Sequence, residues 1–261
     1  MKGSILNWGL KGATALCLSV AMVSPALADS PPFGDGGVAL QGVLDDITVV
    51  TLANPTGDSS VDVTTDALSD DLDSYWAIGG SGASVSTIII ELAGFANQNV
   101  FGVYDRNDAT NTVQLFNGLA GQGDQVAVGI AADGSVLINF ADTGVDFGSG
   151  NNFGFYLDSS ANAGGGFWYS DSNLNIDQGD HMGAYQGVGD TIQIPGLAAG
   201  IWGSNEYVLA FEDLHFAGSD RDFTDFVVLV ESVNPVPEPS TMMLLGSSLL
   251  GLAAWKRRKA S

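Results

Sequence analysis

Five carboxylates stand within fourteen residues near the end of the chain: Glu212 and Asp213, then Asp220, Asp222 and Asp225. The run reads Phe211-Glu212-Asp213-Leu214, then Gly218-Ser219-Asp220-Arg221-Asp222-Phe223-Thr224-Asp225-Phe226, with Gly218 and Ser219 allowing a tight path. Asp213, Asp220, Asp222 and Asp225 at this spacing can direct oxygens to one point, which suits Ca²⁺ with its roughly six to eight oxygen ligands. The spacing is not that of an EF-hand, which needs a glycine at its sixth position and a closing glutamate at its twelfth. Without a cation, Asp213, Asp220 and Asp222 would cap turns and Arg221 would pair with Asp225. Secondary candidates for a metal are Asp66, Asp70, Asp71 and Asp73, which crowd the stretch before Tyr75-Trp76. A third group, Asp105, Asn107, Asp108 and Asn111, reads as a solvated turn.

Other chemistry finds less support. His181 and His215 are the only imidazoles and stand 34 residues apart with no H-E-x-x-H spacing, so His181 beside Asp180 is expected to be structural. No G-x-S-x-G elbow is present. Paired aspartates for glycoside hydrolysis remain the alternative, because so many carboxylates make any pair easy to draw. Phe167-Trp168-Tyr169, Tyr75-Trp76 and Trp202 would stack on sugars if exposed, but core packing is the expectation. No nucleophile, base and orienting partner share a motif, and an enzyme is not expected.

The two ends of the chain are addresses. Lys2 and Lys11 precede an apolar run from Ala13 to Val23, and Ala26-Leu27-Ala28 offers small residues where a signal peptidase reads. Residues 1–28 are therefore read as a signal peptide, with the mature start at Asp29. Cys17, the only cysteine, falls in the discarded part, so no disulfide or thiolate ligand is expected in the mature chain. Between Asp29 and Pro237 stand 29 acidic residues against Arg106 and Arg221, a net charge of −27. Such a field repels nucleic acid and attracts divalent cations.

At the other end, Val236-Pro237-Glu238-Pro239 is held extended by its prolines, Thr241 to Trp255 is uncharged, and Lys256-Arg257-Arg258-Lys259 is basic. As a helix, residues 241–255 would rise about 22 Å, short of a comfortable span. A temporary inner-membrane anchor with a cytoplasmic C-terminus is the reading. This tail, residues 235–261, resembles the PEP-CTERM sorting signal of Gram-negative bacteria. The resemblance implies processing by an exosortase near the Pro-Glu-Pro and delivery to the cell surface or extracellular matrix. Residues 152–231 resemble the uncharacterised bacterial exoprotein family DUF4114, through the F-E-D-L block, the D-R-D-x-x-D run, Phe153-Gly154-Phe155-Tyr156-Leu157 and the Asp180-His181 pair. That likeness implies an extracellular β domain and nothing catalytic.

What must position these residues is a set of short strands. Runs rich in Val, Ile and aromatics recur every 8 to 15 residues, bounded by Gly, Asn and Asp. The clearest are 85–91, 99–104, 112–116, 125–130, 135–140, 153–158, 191–194, 206–211 and 226–231, with earlier candidates at 38–44, 48–52 and 61–64. Asp133-Gly134 signals a tight hairpin with both residues at positive φ. The expected fold over residues 29–234 is all-β, a single β-sandwich or jelly-roll-like domain without appreciable helix. The expected role is that of an exported, non-enzymatic surface or matrix protein with Ca²⁺-binding acidic loops. Its expected partners are signal peptidase, exosortase and exopolysaccharide.

Overall fold

The computed structural model describes residues 31–80, 82–90 and 98–237. The predicted signal peptide with Ala26 and Ala28, and the sorting tail from Glu238 onward, lie outside them. Helix α1 (Val38–Ile47) and the single turn α2 (Asp70–Asp73) come first. The strands after them are β1 (Trp76–Ile78), β2 (Ser84–Ile90), β3 (Val100–Asp105), β4 (Asp108–Phe116), β5 (Gln125–Ile130), β6 (Ser135–Ile138), β7 (Ala141–Asp146) and β8 (Phe153–Asp158). Then come β9 (Phe167–Tyr169), β10 (Met182–Gln186), β11 (Thr191–Ile192), β12 (Gly200–Ile201), β13 (Glu206–Phe211), β14 (Phe226–Glu231) and β15 (Val233–Pro235). No helix among the described residues is long and apolar enough to cross a membrane.

The pairing is antiparallel throughout. One sheet runs β15-β1-β8-β3-β4 with β9 added to β8, and the other runs β10-β13-β14-β2-β5-β6-β7. A two-stranded ladder, β11-β12, stands apart. Period-two alternation turns Phe101, Phe155 and Trp76 of the first sheet towards Tyr207, Phe211 and Phe226 of the second, forming the main core. Ring contacts cross the gap, with Trp76 4.8 Å from Tyr207 and Phe101 5.0 Å from Phe226.

The second sheet is buried on its other face too. Val208, Ala210, Val227 and Leu229 point away from the sandwich and pack on Leu40, Val43, Leu44 and Ile47 of α1. This explains why β13 and β14 read as nearly unbroken apolar runs. It also corrects the expectation for residues 38–44, which form helix and not strand. Apolar residues at 40, 43, 44 and 47 fall on one helical face, a period of 3.6 that overrides the β-branched composition. Asp35 supports the helix start, its carboxylate accepting from Gly37 N and Ala39 N.

Other expectations shift as well. Residues 48–52 contribute one bridge, Thr48 to Ile192, and residues 61–64 form no strand but run into a turn. At the predicted hairpin only Gly134 has positive φ, 99°, because Ala131 to Gly134 is an ordinary turn closed by a glycine. The two-residue turn with both φ positive lies at Asn139 (48°) and Phe140 (67°), which cuts the predicted run 135–140 and adds β7.

Candidate functional site

The acidic loop leaves the sheet where Phe211 pairs with Phe226, the last rung of the β13–β14 ladder. Glu212 and Asp225 are the next residues on either side, so the ladder itself sets them face to face. The Asp225 carboxylate straps the loop mouth by accepting from Asp213 N at 3.0 Å. Beyond it, Asp222 Oδ1 accepts from Thr224 N and Thr224 Oγ1, and Arg221 and Phe223 hold positive φ of 55° and 57°. Such backbone conformations cost roughly 1–3 kcal/mol each and persist only where the surroundings impose them. Here they do: Phe223 is fully buried and meets Phe33 edge to face at 5.2 Å, while Arg221 O accepts from Gly34 N. A Cβ at Gly34 would lie 2.0 Å from Asp220 O, so only glycine fits there.

The carboxylate oxygens converge. Glu212, Asp213 and Asp225 offer oxygens within 4.8 Å of one another, and Glu212, Asp220 and Asp222 do the same. Glu212 belongs to both groups. It is 1 % exposed, and no hydrogen bond of good geometry reaches either carboxylate oxygen, the Ser219 hydroxyl and the Asp225 carboxyl being the candidate donors beside it. Ser219 and the Asp225 carboxyl lie close enough to influence its titration, but burial dominates and pushes its pKa up. Asp213 is raised by burial too, although Asn99 Nδ2 donates to its Oδ2 at 3.0 Å. Burial, then the neighbouring Glu212 and Asp213, push Asp225 up to about 9. An oxygen-only set suits a hard cation, since the site includes no imidazole or thiolate.

The structure thus brings together the predicted Asp213, Asp220, Asp222 and Asp225 around a residue that sequence reasoning left out of the ligand set. The signal for Glu212 was available, because alternation along β13 puts 208, 210 and 212 on one face and the first two are apolar. Arg221 does not pair with Asp225: among the described residues both ion-pair contacts are His–Asp. Of the secondary candidates, Asp66 is an exposed turn residue accepting from Asp62 N, and Asp71 is exposed. Asp73 is buried, Asp70 accepts from Ser172 Oγ, and no three of the four converge. Asp105 is a buried turn residue that accepts from Asn107 N and Ser149 N, and Asp108 caps its own turn through Thr110.

His181 lies directly beneath the site. Its ring is fully buried, stacked 3.7 Å from Trp168 and 4.2 Å from Phe216. Nδ1 faces Glu212 O at 3.1 Å and Nε2 faces Asp177 Oδ2 at 3.1 Å. Burial pushes the imidazole pKa down while Asp177 pulls it back up. The net effect is a lowered pKa that favours the neutral ring, which donates from one nitrogen at a time, to the Glu212 carbonyl or to the Asp177 carboxylate. Trp168 Nε1 donates to Asp213 O at 2.8 Å, which ties the same stack to the loop. The aromatic tripeptide is therefore mainly structural: Trp168 is buried, and Phe167 and Tyr169 pack on Tyr104 and Tyr156 outside the first sheet.

Comparison with known families places this loop. Residues 122–233 match the model of a domain of unknown function, DUF4114, and residues 235–259 match that of the PEP-CTERM protein-sorting motif. The chain carries a DUF4114 domain and a PEP-CTERM sorting motif. No curated protein and no solved structure matches it. The DUF4114 segment holds all five loop carboxylates, His181 and Trp168, and it starts some thirty residues before the predicted Asn152. It is not a separate unit in the fold, because β2 lies between its strands β14 and β5, and β3 pairs with its β8. The sorting motif begins at Pro235, inside β15.

Proposed function

We propose that this PEP-CTERM protein is a non-enzymatic, exosortase-processed surface or matrix protein whose DUF4114 domain binds Ca²⁺ through Glu212, Asp213, Asp220, Asp222 and Asp225. The sorting motif implies export and sorting at the cell envelope. The reading of a transient anchor with cytoplasmic C-terminus rests on Lys256 to Lys259, and that of a signal peptide on Ala26 and Ala28. One observation carries the calcium reading: Glu212 is buried, no hydrogen bond of good geometry reaches either of its oxygens, and it sits where two convergent carboxylate groups overlap. A buried bare carboxylate costs several kcal/mol, and a bound cation removes that cost. Oxygens converging on one point favour ion binding over paired aspartates set across a cleft. A polyanionic surface bridged by Ca²⁺ suits an acidic exopolysaccharide partner.

Thermal unfolding of the mature chain tests the site. Ca²⁺ at a hundred times its dissociation constant adds about 2.7 kcal/mol, a rise in Tm of roughly 5 to 10 °C. Glu212→Gln and Asp222→Ala should remove most of that rise, and Asp108→Ala should leave it intact. Mg²⁺, which demands a smaller octahedral shell, should do less at equal ionic strength. Equal shifts from Ca²⁺, Mg²⁺ and matched NaCl would show general screening and no site.

A further inference from the structure

Thr87 and Gln125 form the last rung of the β2–β5 ladder, and there Gln125 Nε2 donates to Thr87 Oγ1 at 2.9 Å. A hydroxyl and a carboxamide are thus held in contact. They lie on the face of the sheet turned away from the sandwich core, with Leu229 of β14 on the other side of Thr87. Thr87 is 1 % exposed while Gln125 is open to solvent, so the hydroxyl is sheltered and the amide nitrogen has a way out. Both line a cavity of about 280 Å³ whose wall includes the apolar Ile192, Ile194 and Leu197.

Two carboxylates line the same cavity. Glu206 and Glu231 pair across the first rung of the β13–β14 ladder, and β14 sets Leu229 against Thr87 and Glu231 against Val85 of β2. Glu231 is therefore the diagonal neighbour of Thr87 on one face, a separation that a long side chain crosses. Glu206 is tied down by Gly203 N, which donates to its Oε2 at 2.8 Å. Burial, then Glu206, raise the Glu231 carboxyl above its ordinary value, which brings its proton exchange nearer to neutral pH. Between residues 29 and 237 the sequence has neither cysteine nor lysine, so no disulfide and no lysine amide can tie strands together there. A hydroxyl set against a carboxamide can.

We propose that Thr87 and Gln125 condense into an intramolecular ester that crosslinks β2 to β5. Thr87 Oγ1 bonds to Cδ of Gln125, the Cδ–Nε2 bond breaks, and the nitrogen leaves as ammonia. Glu231 takes the hydroxyl proton and hands it to the departing nitrogen, so the balance needs no other reactant. A turn about the soft terminal torsion of Gln125 presents its amide carbon to the hydroxyl. The ester joins a strand that precedes the DUF4114 segment to one inside it, across a sequence separation of 38 residues.

The scarcity of basic residues supplies the test. Trypsin cuts after Arg106 and Arg221, which puts Thr87 and Gln125 in different fragments whether or not the leader has been removed. The full chain, purified in detergent and digested to completion in urea, should keep those two fragments joined in denaturing electrophoresis, with a mass equal to their sum less one ammonia. Mild alkali should part them, restoring the Thr87 hydroxyl and leaving a carboxylic acid on the side chain at position 125. Thr87→Val and Gln125→Leu should each give separate fragments of sequence mass. Glu231→Gln, which keeps both reactants, should slow linking by about 100-fold, read as the unlinked fraction at a fixed time after synthesis. Separate wild-type fragments of sequence mass would overturn the proposal and leave the pair a hydrogen bond only. So would a joined product that persists in Thr87→Val or resists alkali, and linking at the wild-type rate in Glu231→Gln would overturn the proton relay.

Discussion

Asp225 is where charge and stability meet most closely. Its carboxyl is raised from an ordinary value near 3.8 to about 9, first by burial and then by Glu212 and Asp213. The protonated form is thus the one burial favours when no cation is bound. Stability from this source is complete below about pH 4 and is lost progressively as the pH rises through about 9. In chelator, Tm should therefore fall between about pH 5 and pH 9, by about 2–4 °C for each kcal/mol lost. Asp225→Asn should flatten that decline, because an amide cannot ionise. Ca²⁺ takes the ionised form, so its stabilising effect should grow with pH over the same range, and melting curves at three pH values check both statements.

Among the elements, β3 and β8 interlock through glycines. Gly102 pairs with Tyr156 and Tyr104 pairs with Gly154, and each tyrosine ring lies across the opposite glycine. A Cβ at Gly154 would sit 2.2 Å from the Tyr104 ring, and one at Gly102 would sit 2.4 Å from Val113 O. Gly154→Ala should cost about 1–3 kcal/mol by overpacking, read as a drop in denaturation midpoint. Gly80→Ala, with nothing within 4 Å, should be neutral. These elements also show where the sequence was legible. β13, β14 and β8 were readable as short, nearly unbroken apolar runs bounded by turn residues, and β5 by its alternation. Helix α1 was not, since Val, Leu and Ile in ten residues satisfy either period until it is known which sheet face they must cover. β7 was hidden because Phe140, 81 % exposed, occupies a turn position that normally takes Asn or Gly. The acidic loop was legible as a cluster of Asp, but the role of Glu212 depended on what its face of β13 packs against.

At the scale of the whole molecule, the DUF4114 segment needs the residues before it. A chain cut to 122–233 lacks β2, the strand joining β14 to β5, and lacks the Phe101 and Trp76 side of the core. It should show no cooperative thermal transition, whereas the chain from Asp29 to Pro237 should melt as one unit. Processing belongs to this scale too. Mass spectrometry of the surface-exposed protein should find Lys256 to Ser261 missing, and changing Pro237 and Pro239 to Ala should leave a folded domain in the inner membrane. If the protein is attached through its C-terminus, the exit of the chain decides how it carries load. The last strand, β15, holds the domain by three pairs on β1 and by Val236 N donating to Tyr75 O, and a single corner residue, Ser232 at φ 60°, joins it to β14. Behind that corner stand the six pairs of the β13–β14 ladder. Drag on a surface-attached molecule therefore enters through a short seam of three pairs. A pull along β15 loads the three pairs together in shear, and a sideways pull opens them one by one. Either way β15 should give first, lengthening the tether by a few residues while the acidic loop at the opposite end of β14 stays intact.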